Sequence, residues 1–139
     1  EIKCEFIYNM HKNNIDKISY FQEQDKLFVA IVYSHLRPLK ILVQETVYKI
    51  FDIPIDMYFL IEGDIVFLTK NNHAYKLIKQ GNYFGDIEIF NKIHRICNAK
   101  TYSNCSMFCL NKKYIYDVIE YNFPSVFNDL HKNAVLRLD

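Results

Sequence analysis

Apolar positions in the first nineteen residues fall at Ile2, Phe6, Ile7, Met10, Ile15 and Ile18. That spacing suits one face of an amphipathic helix, and Asn13-Asn14 predicts an interruption in it. Residues 24–36 place Leu27, Phe28, Ile31 and Val32 on a second helical stripe. Pro38 is expected to end this helix, because the residue before a proline is driven out of the α region. From Leu39 to Leu110 the pattern shortens. β-branched and aromatic runs recur at 39–43, 46–51, 56–62, 64–70, 74–79, 97–102 and 105–110, separated by turn residues such as Gly63-Asp64, Asn71-Asn72 and Gln80-Gly81-Asn82. Regularly spaced short strands predict a sandwich, jelly roll or barrel. Asp86 to Asn91 breaks the rhythm and reads as one or two helical turns. Helix returns over Lys112 to Tyr121, and Pro124 suits the first turn of a last helix carrying Val126, Phe127, Leu130, Ala134, Val135 and Leu138. The order is helices, a β unit with a small helical insert, then helices.

At 139 residues the chain is expected to be one domain with a real core. Half of its residues are hydrophobic, which excludes disorder. Lys+Arg 17 against Asp+Glu 16 leaves a net charge of +1, which predicts no general affinity for nucleic acid or an anionic membrane surface. Apolar runs such as Met57 to Ile61 fall far short of the about 20 residues that span a bilayer, so no direct membrane insertion is expected. The chain starts without Met inside a helical pattern, which reads as an excised domain. Cys4, Cys97, Cys105 and Cys109 form no C-x-x-C pair and are expected to be buried free thiols, with Cys105 and Cys109 facing inward from one side of a strand. His11, His35, His73, His94 and His131 show no metal-ligand spacing.

Candidate chemistry lies elsewhere. The sequence holds only three glycines, and two of them bracket Gly81-Asn82-Tyr83-Phe84-Gly85 just before Asp86. A chain this poor in glycine uses it where a positive φ or a close approach demands it. A helix starting at Gly85 would offer N–H groups to an anion. Asp86 accepts from hydroxyls, and Arg95 has a planar fork suited to phosphate. Together they would hold a small phosphorylated ligand with a sugar hydroxyl. The plainer alternative is a tight turn at Gly85 with an Arg95–Asp86 surface ion pair. Asp86 and Glu88, two apart on a helix and without a nucleophile, give no basis for acid–base catalysis, so the chain does not read as an enzyme.

Gly81-Asn82-Tyr83-Phe84-Gly85-Asp86-Ile87 resembles the phosphate-binding cassette of cyclic nucleotide-binding domains, where G-x-Y-F-G-E-[IL] is typical. Met57-Tyr58-Phe59-Leu60-Ile61-Glu62-Gly63 resembles the M-Y-F-I-x-x-G segment of the same domains, so all three glycines fall on family positions. The resemblance is closest to the ion-channel branch. Ser19-Tyr20-Phe21 is similar to the P-L-F before the roll, Tyr121-Asn122-Phe123-Pro124 to E-x-Y-P, and Arg137-Leu138-Asp139 to the R-L-D of pacemaker-type channels. Pro54 has a counterpart in plant potassium channels.

The resemblance implies an α+β fold over residues 1–139: N-terminal helices over 1–37, a β-roll (a double-stranded β-helix or jelly roll) over 38–110 with a cassette at 81–97, and C-terminal lid helices over 111–139. It implies a ligand-binding set of Gly85, Asp86, Ile87, Arg95, Ile96, Cys97, Phe67, Ile78 and Arg137. In it Gly85 and its neighbours donate to the cyclic phosphate of cAMP or cGMP and Arg95 pairs with that phosphate. Asp86 accepts from the ribose 2′-hydroxyl, Phe67 and Ile78 lie near the base, and Arg137 caps the purine. No other cofactor and no metal are implied.

The chain departs from the family where Asp86 replaces Glu, where Ile96-Cys97 replaces a Thr/Ser/Ala-Ala pair, at Phe67, and at Val43-Gln44-Glu45 in place of P-G-D. The expected function is the cytoplasmic regulatory domain of a tetrameric potassium or cation channel, with the pore and its linker as partners and the excised piece a monomer. The departures motivate an alternative, a nucleotide-insensitive domain with a structural or assembly role. A second alternative, a kinase regulatory subunit or exchange factor, usually carries G-E-x-A-L with R-A-A or R-T-A, and neither is here. No helix-turn-helix follows that would suit a transcription activator.

Overall fold

Between Arg37 and Asn111 the short apolar runs form two four-stranded antiparallel sheets, β1-β8-β3-β6 and β2-β7-β4-β5. The computed structural model describes residues 2–138; Glu1, Asp139 and the side chains of Ile2, Lys3, Cys4 and Ile7 lie outside the described residues, and with them the sequence readings made on those groups. The strands are β1 (Arg37–Ile41), β2 (Thr46–Tyr48), β3 (Asp56–Glu62), β4 (Asp64–Leu68), β5 (Ala74–Lys79), β6 (Tyr83–Phe84), β7 (Asn98–Thr101) and β8 (Cys105–Asn111). Helices α1 (Ile2–Met10), α2 (Lys12–Asp16), a 3₁₀ turn (Ser19–Glu23) and α3 (Lys26–Tyr33) precede the roll, and α4 (Ile87–Asn91) interrupts it. After it come α5 (Lys112–Tyr114), a π-helical turn (Ile115–Ile119), α6 (Glu120–Asn122) and α7 (Pro124–Arg137).

β3 organises the molecule. Its residues from Asp56 to Ile61 are all buried, because its two faces serve two cores. Tyr58 and Leu60 point between the sheets, where they meet Ile65, Phe84, Cys97, Cys105, Met107 and Cys109. Met57, Phe59 and Ile61 point the other way, into a core shared with the helices. Period two therefore reads as a continuous apolar run here, as in any strand covered on both sides. Cys105 and Cys109 face the roll interior as expected, and Cys97 joins them as a third buried thiol.

Several boundaries differ from expectation. The first helix is interrupted near Asn13-Asn14 as expected, with the break itself at His11 and the two asparagines inside α2. There the His11 carbonyl accepts from the N–H of both Asn14 and Ile15, and the Asn14 amide donates to the Tyr33 hydroxyl at 3.2 Å, so this asparagine is used within the helix. The second helix starts at Lys26 because Asp25 caps it by accepting from Leu27 N–H, and its buried face is Phe28, Val29 and Val32 rather than a stripe including Leu27, which is exposed in the first turn. It ends at Tyr33. Pro38 sits inside β1, a sheet edge where a missing N–H breaks no ladder. The run at 46–51 stops pairing after Tyr48, since Phe51 takes a positive φ of 76° and Ile50 N–H donates to the Asn98 side chain instead. β6, two residues long, is too short to leave a period in the sequence.

Among the described residues no helix is long and apolar enough to cross a membrane. All three glycines have positive φ. At Gly63 the demand is double: φ is 91°, and a Cβ would collide with the Asn104 carbonyl and lie 2.7 Å from Cys105 Sγ. Strain at a left-handed position and overpacking each cost about 1–3 kcal/mol. Gly63→Ala is therefore expected to destabilise the domain by about 2–4 kcal/mol, read as a lower urea midpoint at unchanged slope. A loss under about 0.5 kcal/mol would refute this account of the β3–β4 turn.

Candidate ligand-binding site

The turn after β6 is shaped by Gly85, whose φ of 80° aims the chain back across the mouth of the roll. A Cβ here would press on Tyr58 at 3.1 Å and on Arg95 Nη1 at 3.3 Å, so the backbone lies against these two side chains. Asp86 follows and then α4. Together with β4, β5, the segment Ile96-Cys97 and the end of α7 they enclose a cavity of about 330 Å³. Its walls include Phe67, Ile78, Gly85, Asp86, Ile87, Ile96, Cys97 and Arg137, which are eight of the nine residues singled out from the sequence. Its size is at the lower end of the about 300–1,000 Å³ of small-molecule sites. A larger groove, about 560 Å³, runs outside the roll between the 3₁₀ turn and α7, where Asn133 pairs with Tyr83 Oη at 2.7 Å and Tyr20 with Asp129 at 3.4 Å. The roll cavity is the better candidate because it holds the buried charges.

The ninth residue, Arg95, does not line the cavity. It is 2% exposed, and its guanidinium is turned inward. Nη1 donates to Gly85 O at 2.7 Å and to Glu88 Oε1 at 2.9 Å, Nη2 donates to Asp56 O at 2.6 Å, and Cζ stands 3.9 Å over the Tyr48 ring. The surface ion pair of Arg95 with Asp86 is not formed. Asp86 instead pairs with Arg137 from the last helix, through a short contact of its Oδ2 with Nη2. Arg137 Cζ also lies 5.5 Å from the Tyr83 ring centroid.

Asp86 is fully buried, and that burial raises its carboxyl above the usual carboxylate range against the opposing pull of Arg137. Its Oδ1 and the Nε of Arg137 are buried without a partner. Both residues line the cavity, so a ligand there has an acceptor and a donor to satisfy. Burial also pushes the Cys97 thiol up, which makes it a poor nucleophile. Among the described residues no group of His, Cys, Asp or Glu could hold a metal ion.

Glu88, which the sequence reading weighed only beside Asp86 for acid–base catalysis, is a further candidate for the site. It is 3% exposed, its Oε1 accepts from Arg95, and its Oε2 accepts from Ile96 N–H at 3.2 Å. A signal was present: a lone carboxylate between Ile87, Ile89 and Phe90 in a buried turn needs a cationic partner. Tyr48 and Asp56, which complete the Arg95 cage, carry no such signal, because one contributes a ring face and the other a backbone carbonyl.

Comparison with known proteins agrees with this architecture. The sequence is 25% identical over 119 residues to cyclic nucleotide-gated channel alpha-3 of Homo sapiens, a match covering 81% of this chain and 17% of the channel. It is 24% identical over 125 residues to cyclic nucleotide-gated channel alpha-4 of Mus musculus, covering 85% of this chain and 22% of the channel. The chain thus spans less than a quarter of the length of these relatives. Among solved structures, the regulatory subunit of a cAMP-independent protein kinase A from Trypanosoma brucei superposes with a TM-score of 0.78 at 12% identity, over 95% of this chain and 47% of that one. The regulatory domain of Toxoplasma gondii PKA, co-crystallised with cAMP, gives 0.76 at 19% identity, over 94% and 51%. These likenesses carry the fold, an α+β jelly roll flanked by helices. The sequence model for the cyclic nucleotide-binding domain matches residues 39–122, more than half of the chain, and on that match the chain belongs to the cyclic nucleotide-binding domain family.

Proposed function

We propose that this chain is the cytoplasmic ligand-sensing domain of a channel of the cyclic nucleotide-gated kind, with cAMP or cGMP as ligand and a pore with its linker as partner. One observation carries the reading: the last helix closes the cavity through Arg137 on Asp86, the carboxylate at the head of the cassette. In this reading Asp86 Oδ1, which is buried without a partner, accepts from a ribose hydroxyl, with Phe67 and Ile78 against a base.

The packing supplies a route from cavity to helices. α4 is tied to the C-terminal helices by Tyr116 Oη donating to Ile89 O at 2.7 Å and by Phe90 against Phe127 at 5.4 Å. The N-terminal helices join the same core, with Phe28 edge-on to Phe123 at 5.0 Å. A ligand shifts such an assembly only by its differential affinity for two states, so α7 has to sit differently with the cavity filled. A second reading, a nucleotide-insensitive domain with an assembly role, is favoured by Arg95, whose donors serve internal acceptors.

Calorimetric titration with cAMP and cGMP separates the two. Sensing predicts saturable one-to-one binding that Asp86→Ala weakens by about tenfold to a hundredfold, the loss of one hydrogen bond to a charged group. Equal affinity in that variant would remove Asp86 from the site, and no heat at millimolar nucleotide would select the second reading. Arg137→Ala should lower amide-exchange protection in the last turn of α7, while strands β3 and β8 keep theirs. Unchanged protection in that turn would mean that the Asp86 contact does not hold the lid. Sequencing the complete transcript tests the channel assignment. Several apolar segments of about 20 residues are expected, and a kinase domain in their place would turn the reading to an enzyme's regulatory subunit.

A further inference from the structure

We propose that Glu88 determines which ligands the roll cavity accepts: its carboxylate is a built-in anion that occupies Arg95 and holds down the affinity for ligands negatively charged at the Gly85 end. The inference rests on the family reading for the orientation of a nucleotide in the cavity, and otherwise on the geometry of four groups.

Glu88 lines the cavity and Arg95 does not. Both are nearly fully buried, so their contact at 2.9 Å is a desolvated ion pair rather than a surface one. Glu88 uses both oxygens, one on the guanidinium and the other on Ile96 N–H, one residue beyond Arg95. The remaining guanidinium bonds, to Gly85 O and Asp56 O, are to backbone carbonyls. A phosphate reaching Arg95 therefore meets one of two obstacles. It displaces Glu88, leaving a buried carboxylate without its cation, or it settles beside Glu88, two anions at close range in a dry site. Either route lowers affinity by about tenfold or more.

The other charges facing the cavity do not offset this. Asp86 and Arg137 are paired with each other, which among the described residues leaves Lys76 as the further cation in the wall. The unmatched atoms, Asp86 Oδ1 and Arg137 Nε, ask for a hydroxyl or a ring nitrogen, which an uncharged ligand supplies as well as a charged one. The cavity is thus built to hold the sugar and base of a nucleotide while discriminating against its phosphate.

The test titrates the full chain, Glu88→Ala and Glu88→Gln with two matched pairs, adenosine with cAMP and guanosine with cGMP, and follows thermal unfolding with and without inorganic phosphate. In the unsubstituted chain the nucleoside is expected to bind at least as tightly as its cyclic nucleotide. Glu88→Ala should raise affinity for the cyclic nucleotide about tenfold or more, with nucleoside affinity changed less than about threefold. Its melting temperature should fall, because Arg95 is left buried and unpaired, and should recover with millimolar phosphate or cyclic nucleotide; that of the unsubstituted chain should not respond to phosphate. Should Glu88→Ala fail to fold, Glu88→Gln, which keeps the shape and removes the charge, is expected to move affinity in the same direction. Cyclic nucleotide binding to the unsubstituted chain tenfold tighter than nucleoside would overturn the inference and leave sensing intact. Cyclic nucleotide binding that appears only in the Glu88 variants would sink sensing by the native chain and uphold the inference. No gain in either variant overturns it.

Discussion

The buried guanidinium of Arg95 is the constraint around which the rest of the roll is arranged. It joins three parts of the chain that are distant in sequence: β3 through Asp56 O, the cassette through Gly85 O and Glu88, and β2 through the Tyr48 ring. Its own backbone continues the link, donating to Asp52 O and accepting from Phe51 N–H, both at 2.8 Å. A charge this deep is tolerated only when its donors find acceptors, and removing one partner of such a pair costs about 3–5 kcal/mol. Arg95 thus fixes Gly85 against Tyr58 and sets where α4 begins. The positive φ at Gly85 is the backbone condition for that approach, since any side chain there would push the guanidinium away.

From that anchor the mechanical layout follows. β3 is shared between the roll core and the helical core, so a displacement of the cassette cannot be absorbed by the sheets alone. α4 is short and lies between the roll and α7, with Ile89 and Phe90 buried in the helical core while Glu88 faces Arg95 and Asp86, at its head, faces Arg137 of α7. It is the one element with a polar end in the cavity and an apolar face against the lid. The π-helical turn at Ile115–Ile119 buries Ile115 and Ile119 in that same core, so the lid's attachment is packed by apolar side chains while its tip is held by polar contacts, Arg137 with Asp86 among them.

Much of this was legible in the residues. Every long strand, the short cassette helix and the helix opening at Pro124 were marked by period and by proline, because each buries one face against a partner. The glycines were informative because the chain has so few: each one marks a position where a Cβ meets strain or another atom. Eight of nine site residues met in one cavity because the cassette is local in sequence and its shape is fixed by Gly85. What escaped was partner choice among charges. Asp86, Glu88, Arg95 and Arg137 allow more than one pairing, and the observed one, Arg95 with Glu88 and Arg137 with Asp86, depends on where α7 docks. Helix starts escaped for a related reason, since Asp25 and His11 act through a single capping or carbonyl contact that leaves no period.

The same jelly roll is shared with one protein crystallised with cAMP and with another described as cAMP-independent, so the fold by itself does not decide whether a nucleotide is read. What can decide is small: which buried carboxylate faces which guanidinium at the mouth of the roll. Removing the charge at position 88 leaves the hydrophobic cores in place, because those depend on Ile89, Phe90 and their neighbours. It changes only whether Arg95 is satisfied from within. Stability and ligand response therefore meet at this buried pair, since removing either partner leaves a charge behind. The cores and the Arg95 contacts hold the roll together, and under the proposal made above the residue at position 88 also sets what the cavity admits.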